Sequence, residues 1–349
     1  MTTTPVAEAT KANLNRAGLD KAAYKGSKST LCAGCGHDAI TNHIITAFYE
    51  LGVEPQSVAK FSGIGCSSKT PAYFLSRSCG FNSVHGRMPA VATGALTANR
   101  QLIGVGVSGD GDSASIGLNH MCQIFRRNVR MLYIVENNGV YGLTKGQFSA
   151  TADVGSRQKG GALNDYEPID TCALAIELGC GYVARSFSGD GKQLVPLLKG
   201  ALSHNGLAFI DVISPCVTFN NHDGSTKSYD FVKEHDIRLH ELGFVPHYEE
   251  VSVEYDEGTT TRVDLPDGSY LTLKKLERTY DPFDKRSALS TLAASRASNE
   301  LLTGLLFLDE NRPTLDQRMK LTERPLIELT EADLRPGRAV LEEIMETYR

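Results

Sequence analysis

Residues 101–112 read QLIGVGVSGDGD, an apolar run that passes directly into an acidic glycine turn. Charged residues are missing from Leu102–Val107, so the segment reads as a strand buried on both faces. The next stretch, 113–128 (SASIGLNHMCQIFRRN), reads as a helix starting near Ser113. Arg126 and Arg127 fall in its last turn, where the helix dipole favours cations. Residues 129–142 (VRMLYIVENNGVYG) form a second buried strand and a loop. Strand, helix and strand in this order predict a parallel α/β sheet.

The same texture extends outward. Residues 57–65 (SVAKFSGIG) read as a strand ending in glycines, and 207–216 (LAFIDVISPC) as another strand. In 37–51 (HDAITNHIITAFYEL), Ile40, Ile44, Ala47, Phe48 and Leu51 share one helical face. Residues 168–180 predict a helix closed by Gly179, and 192–206 a helix closed by Gly206. Function in such a fold belongs at the carboxyl ends of the strands. The unusual residues cluster there: 63–66 (GIGC), 109–112 (GDGD), 137–139 (NNG) and 214–216 (SPC).

Composition sets the frame. The 349 residues are 41% hydrophobic and 22% charged, as in a soluble globular protein. The net charge of −5 gives no basic field for nucleic acid. No apolar run reaches the roughly 20 residues of a membrane span. No secretory pattern opens the chain, so the expectation is a cytoplasmic protein. Its eight cysteines are then not a disulfide framework. Residues 1–29 read as a loosely docked N-terminal arm, 30–245 as the main domain, and 246–349 as a C-terminal extension. That extension reads as a β hairpin followed by charged, Leu-rich helices over 285–349, placed at a subunit interface.

Gly109-Asp110-Gly111 is followed after 25 residues by Asn137-Asn138. The helix and strand between them return the chain to the same sheet edge. Magnesium takes hard oxygen ligands in near-octahedral geometry. Asp110, the Asn138 amide oxygen and the Val140 carbonyl can supply three, with a diphosphate and water completing the set. Gly109 and Gly111 permit close approach to phosphate, and the following helix offers free N–H groups. The arrangement resembles the thiamine diphosphate motif.

Residues 30–37 (TLCAGCGH) place Cys32 and Cys35 beside glycines, and Cys66 and Cys216 lie in similar Gly- or Pro-flanked loops. Four such thiolates suit tetrahedral zinc or a 4Fe–4S cluster equally well. Cys79, Cys122, Cys172 and Cys180 sit in contexts typical of core or plain surface cysteines.

Taken in order, CAGCGH (32–37), SGIGCSSK (62–69), HGRMPAVATGA (85–95), GDGD (109–112), ENNGVYGLTKGQ (136–147) and SPCVTFN (214–220) resemble the β subunit of 2-oxoacid:ferredoxin oxidoreductases over roughly residues 28–245. The resemblance implies a parallel-sheet thiamine-diphosphate-binding fold with helices on both faces and a C-terminal β/α extension. It implies that Cys32, Cys35, Cys66 and Cys216 ligate one 4Fe–4S cluster, and that Asp110, Asn138 and Val140 hold Mg2+. Ile64, Gly65, Cys66, Ser67, His85, Gly86, Gly111, Asp112, Gly142 and Leu143 would line the thiamine diphosphate, and Lys69 would meet the substrate carboxylate. Residues 214–244 look most like the 2-oxoglutarate branch. The implied reaction is coenzyme A-dependent oxidative decarboxylation, with ferredoxin as acceptor. Pyruvate or a broad range of 2-oxoacids is the alternative substrate reading. Only one thiamine half-domain is recognisable, so the resemblance implies an obligatory α subunit in an α2β2 heterotetramer. A carboligase of the acetolactate-synthase type would need a second thiamine half-domain in the same chain, and a zinc-stabilised binding module would need no thiamine. Arg126, Arg127 and Arg130 form a basic run that could meet an acidic ferredoxin or simply end a solvated helix.

Overall fold

The computed structural model describes residues 14–156, 162–216, 236–238, 260–264, 270–274, 280–297, 301–335 and 337–349. In chain order the elements are α1 (Gly36–Leu51), β1 (Val58–Ser62), β2 (Cys79–Asn82), α2 (Met88–Ala98), β3 (Ile103–Gly109), α3 (Leu118–Arg127) and β4 (Met131–Asn137). The two-residue strands β5 (Val140–Tyr141) and β6 (Gln147–Phe148) follow, then α4 (Thr171–Glu177), β7 (Tyr182–Phe187), α5 (Gly191–Ser203) and β8 (Leu207–Ile213). Towards the C-terminus come β9 (Asp236–Arg238), β10 (Thr260–Asp264), β11 (Tyr270–Lys274), α6 (Lys285–Ala297) and β12 (Leu301–Leu308). The short helix α7 (Leu315–Met319), the single turn α8 (Glu331–Leu334) and α9 (Arg338–Glu346) end the chain.

Among the described residues, eight strands form one sheet in the order β2-β1-β3-β4-β8-β7-β12-β9. From β2 to β7 every pairing is parallel, while β12 runs antiparallel to β7. All seven residues of β4 are buried, and so are all seven of β8. Successive side chains of a strand point to opposite faces. Met131, Tyr133 and Val135 therefore join the α2, α3, α4 and α6 side of the core, and Leu132 and Ile134 join the α1 and α5 side. Burying each large apolar side chain contributes roughly 1.5–3 kcal/mol. The chain leaves β1 toward β2 and leaves β3 toward β4, in opposite directions. A crevice therefore opens between the carboxyl ends of β1 and β3, where open α/β sheets bind ligands.

Several expectations are corrected here. The N-terminal arm is docked, not loose, over its described part: Tyr24 is fully buried beside Ile40 and Phe48. Its hydroxyl accepts a hydrogen bond from Asn15 Nδ2, and Lys25 bridges Phe74. Residues 285–349 are not helical throughout, because Leu301–Leu308 is a strand of the main sheet. Its continuous apolar run is what a strand covered on both faces needs, and α6 supplies one cover. The helix expected from Ser113 starts as a π-type turn at Gly111–Ile116 and breaks at Gly117 before α3. α5 ends at Ser203 with His204 as C-cap, short of Gly206. Gly179 does close α4, with φ of +83°. β2 and β7 lack a marked sequence signal; β2 is exposed along its length. The hairpin is present as β10 and β11, whose turn lies outside the described residues. So does most of the segment that resembles the 2-oxoglutarate branch.

Candidate active site

The crevice holds the acidic turn. Asp110 ends β3, fully buried, and accepts hydrogen bonds from the Asn138 backbone N–H (3.3 Å), Thr151 Oγ1 (2.8 Å) and Ser149 Oγ. Burial raises its pKa, while those donors pull the other way. The Asn138 Oδ1 accepts the Val140 N–H at 3.1 Å, closing a tight turn. Asp110, Asn138 and Val140 border one pocket, as the motif requires.

Asp112 has a bracing role that the motif alone did not suggest. Its carboxylate accepts from the Gly86 N–H at 2.8 Å and from Ser108 Oγ at 2.7 Å. A Cβ on Gly63 would stand 1.7 Å from Asp112 Oδ2, so this position admits no side chain. Gly86, at φ +68°, packs its Cα against Gly117 where the π-type turn breaks. Asp112 thus binds the loop after β1, the loop before α2 and the acidic turn together. Gly109 and Gly111 admit Ser67 and the Tyr141 ring, so their bareness serves protein packing first.

Ile64, Gly65, Cys66, Ser67, His85, Gly111, Asp112, Gly142 and Leu143 line the same pocket, whereas Gly86 is buried off the wall and reaches it only through its bond to Asp112. His85 and Leu143 are exposed at its mouth. Lys69 is half-buried on the turn Ser67–Ala72 and is not part of the pocket wall. That turn is held from below by Lys60 of β1. Its Nζ donates to the carbonyls of Pro71, Phe74 and Leu75 at 2.6, 2.6 and 3.0 Å. Burial lowers the Lys60 pKa to about 8.

The cysteines gather at one side of the pocket. A Cβ built on Gly142 would lie 3.7 Å from Cys66 Sγ and 3.8 Å from Cys216 Sγ. Cys35 lies within electrostatic reach of Cys216, and Cys66 within reach of Cys216 and Cys32. Burial pushes the Cys35 thiol up to about 12. Among the described residues no three His, Cys, Asp or Glu side chains converge on a single-ion site. A four-iron cluster makes no such demand, because each iron takes one thiolate. Cys172 and Cys180 are buried in the apolar core, and Cys79 is exposed.

Two wall residues escaped the sequence reading. Glu136, at the end of β4, is fully buried and accepts from Thr70 Oγ1 at 2.9 Å. Its Oε1 has no hydrogen-bond partner among the described residues. His37, at the start of α1, is buried, with Nδ1 2.6 Å from Ser214 Oγ and 3.7 Å from Glu136 Oε2. Burial lowers His37 to about 4 and pushes the Glu136 carboxyl well above its ordinary 4.5. The signal for Glu136 was an acid ending the apolar run MLYIV.

The basic run is at the wrong end for the cysteines. α3 carries the chain from the carboxyl edge of β3 back to the start of β4, so Arg126, Arg127 and Arg130 lie at the amino edge. Among the described residues no helix is long and apolar enough to cross a membrane.

Residues 63–212 match the family of thiamine pyrophosphate enzymes, C-terminal TPP binding domain. A Sulfolobus 2-oxoacid:ferredoxin oxidoreductase subunit beta is 41% identical over 231 residues, covering 66% of this chain and 73% of the relative. The 2-oxoglutarate synthase subunit KorB of Methanocaldococcus jannaschii is 38% identical over 213 residues, covering 60% of this chain and 78% of that one. A solved structure of 2-oxoglutarate:ferredoxin oxidoreductase from Magnetococcus marinus, with 2-oxoglutarate, coenzyme A and succinyl-CoA bound, superposes with a TM-score of 0.72. The two chains are 29% identical, and the match covers 97% of this chain and 98% of the other. With the acidic turn, the glycine-lined crevice and the four gathered cysteines, these likenesses place the chain in the family of 2-oxoacid:ferredoxin oxidoreductase β subunits.

Proposed function

We propose that this β subunit serves the coenzyme A-dependent oxidative decarboxylation of 2-oxoglutarate to succinyl-CoA and CO2, with ferredoxin taking the electrons. The observation that carries the reading is that Asp110 and Asn138 share one pocket with Cys66, while Cys216 reaches the same wall beside Gly142. The relatives named for 2-oxoglutarate favour that substrate over pyruvate.

The residues fit the implied groups. Asp110 and Asn138 offer a carboxylate and an amide oxygen from adjacent strand ends, and Val140 a carbonyl, as Mg2+ and a diphosphate require. Cys32, Cys35, Cys66 and Cys216 are the donors for one 4Fe–4S cluster. Thiamine diphosphate, when bound, supplies the electron sink for decarboxylation. This chain's part is to hold and orient. The Asp112 brace, anchored on the Gly86 N–H, fixes the wall formed by Ile64, Gly65, Ser67, His85 and Gly111. Gly142 lies beside the Cys66 and Cys216 sulfurs, and Leu143 stands exposed at the pocket mouth. Lys69, steadied by Lys60 beneath its turn, offers its ammonium to the substrate carboxylate at the pocket rim.

The α subunit, in an α2β2 assembly in the cytoplasm, supplies the second thiamine half-domain. Its contact falls on the C-terminal extension. There Ile327 is 95% exposed, and Leu334, Leu341, Ile344 and Tyr348 also face outward. A lone soluble protein rarely leaves such an apolar surface uncovered.

The test is an assay of the co-purified α and β chains with 2-oxoglutarate, pyruvate and branched 2-oxoacids, using coenzyme A and a viologen acceptor. The expected result is preference for 2-oxoglutarate, with little turnover by the β chain alone. Full activity from the isolated chain, or a preference for pyruvate, would overturn the reading.

A further inference from the structure

The polar group around Glu136, with one hydrogen bond from Thr70 and one close contact with His37, touches every segment that carries a candidate cluster cysteine. Cys66 is the N-cap of the turn Ser67–Ala72, and Thr70 of that turn donates to Glu136 Oε2 at 2.9 Å. Cys35 is the N-cap of α1, and His37, two residues on, stands 3.7 Å from the same oxygen. His37 Nδ1 meets Ser214 Oγ at 2.6 Å, two residues before Cys216. Glu136 itself lies two residues before Asn138. One carboxyl group therefore links three cysteine segments to the strand end that carries the magnesium amide.

The seating is tight. A Cβ on Gly36 would lie 2.6 Å from Ser214 Oγ and 2.7 Å from Ser188 Oγ, so α1 presses directly on the end of β8. Glu136 is fully buried with Oε1 unpartnered among the described residues, and it borders the pocket while lying within electrostatic reach of Cys35 and Cys66. An unsatisfied buried oxygen costs free energy that an apolar side chain of similar size would avoid. Packing alone therefore gives no reason for an acid at the end of this apolar strand.

We propose that Glu136 is a positioning residue that sets the spacing between the cluster cysteines and the thiamine pocket, acting through Thr70 and His37. The proposal rests on the reading of Cys32, Cys35, Cys66 and Cys216 as cluster ligands. Groups behind the ligands orient them, and the surroundings of the sulfurs tune an iron–sulfur potential.

The experiment uses the full β chain co-purified anaerobically with its α subunit, in wild-type form and as Glu136→Gln, Glu136→Ala and Thr70→Val. Iron and sulfide content, the EPR spectrum of the reduced cluster and its reduction potential are measured. Glu136→Ala should keep its iron yet shift both potential and spectrum. Thr70→Val should shift them in the same direction by less. Glu136→Gln, which keeps the shape and an oxygen for Thr70, should restore wild-type values. If Glu136→Ala fails to fold, Thr70→Val decides. Wild-type potential and spectrum in the variants that fold would overturn the positioning role while leaving the ligand reading intact. A wild-type protein without iron and sulfide would overturn both.

Discussion

Two buried polar clusters meet at the carboxyl edge of the sheet, and they are built on different terms. In the first, Arg185 of β7 donates to Asp170 at 2.7 Å and to Asp211 of β8 at 3.1 Å. Asp211 also accepts from Thr171 Oγ1 at 2.9 Å and from Asn137 Nδ2 at 3.0 Å. Asp170 caps α4 through the N–H groups of Cys172 and Ala173. In the second cluster, where Glu136 and Asp110 border one pocket, Glu136 Oε1 has no hydrogen-bond partner among the described residues. Asn137 and Thr151 join the two: Thr151 Oγ1 lies 2.8 Å from both Asn137 Oδ1 and Asp110 Oδ2. A cluster whose charges match holds strand ends in place. A cluster with open valences waits for a ligand to complete it. The matched one is therefore read as the anvil against which the site is set.

The sharpest way to break this contrast is to unpair the matched cluster. Arg185→Met leaves the buried Asp211 and the partly buried Asp170 without their cation, and the expected loss is about 3–5 kcal/mol in denaturant unfolding. A variant as stable as wild type would mean that the cluster is no anvil. The open cluster should respond in the opposite sense. Asp110→Asn keeps the shape and the acceptor for Thr151 but removes the carboxylate that magnesium needs. Calorimetry should show Mg2+-dependent thiamine diphosphate affinity falling roughly a hundredfold, about 3 kcal/mol, with the unfolding midpoint of the ligand-free chain nearly unchanged. Unaltered affinity would count against the motif.

Lys69 is a milder probe, because it is half-buried and off the pocket wall. Lys69→Ala should raise the KM for the 2-oxoacid by removing a charge-assisted contact worth roughly 1.5–3 kcal/mol. An unchanged KM would assign Lys69 to the turn that Lys60 supports.

What could be read in the sequence was what local chemistry dictates. Apolar runs such as MLYIV at 131–135 announced buried strands, and Asp110 and Asn138 stood out because Gly-Asp-Gly and Asn-Asn end two of them. What escaped depended on distant partners. Leu301–Leu308 is a strand only because β7 lies open to receive it, and the same leucines would suit a helix. Tyr24 looks like arm residue until Phe48 and Phe74 close over it. Glu136 gains its meaning from Thr70, 66 residues away, and His37 from Ser214, 177 residues away. Asp112 lies on the pocket wall, but its bond to Gly86 depends on how the loop before α2 folds back.

The smallest expected effect distinguishes the clusters by pH. Burial alone would raise Asp170, but Arg185 and the α4 backbone N–H groups overcome it and hold the carboxyl below its ordinary 3.8. The unfolded chain therefore binds this proton first as the pH falls. The contribution of Asp170 is complete above about 3.8 and disappears as the pH drops through the depressed folded value. Asp170→Asn removes the titrating group while asparagine still caps α4. The variant should be somewhat less stable at neutral pH, and its stability should fall less steeply below about pH 4 than that of wild type. Parallel acid limbs in the two proteins would show that the Arg185 ion pair carries no net stability. The distinction between a matched and an open cluster would then rest on the ligand side alone.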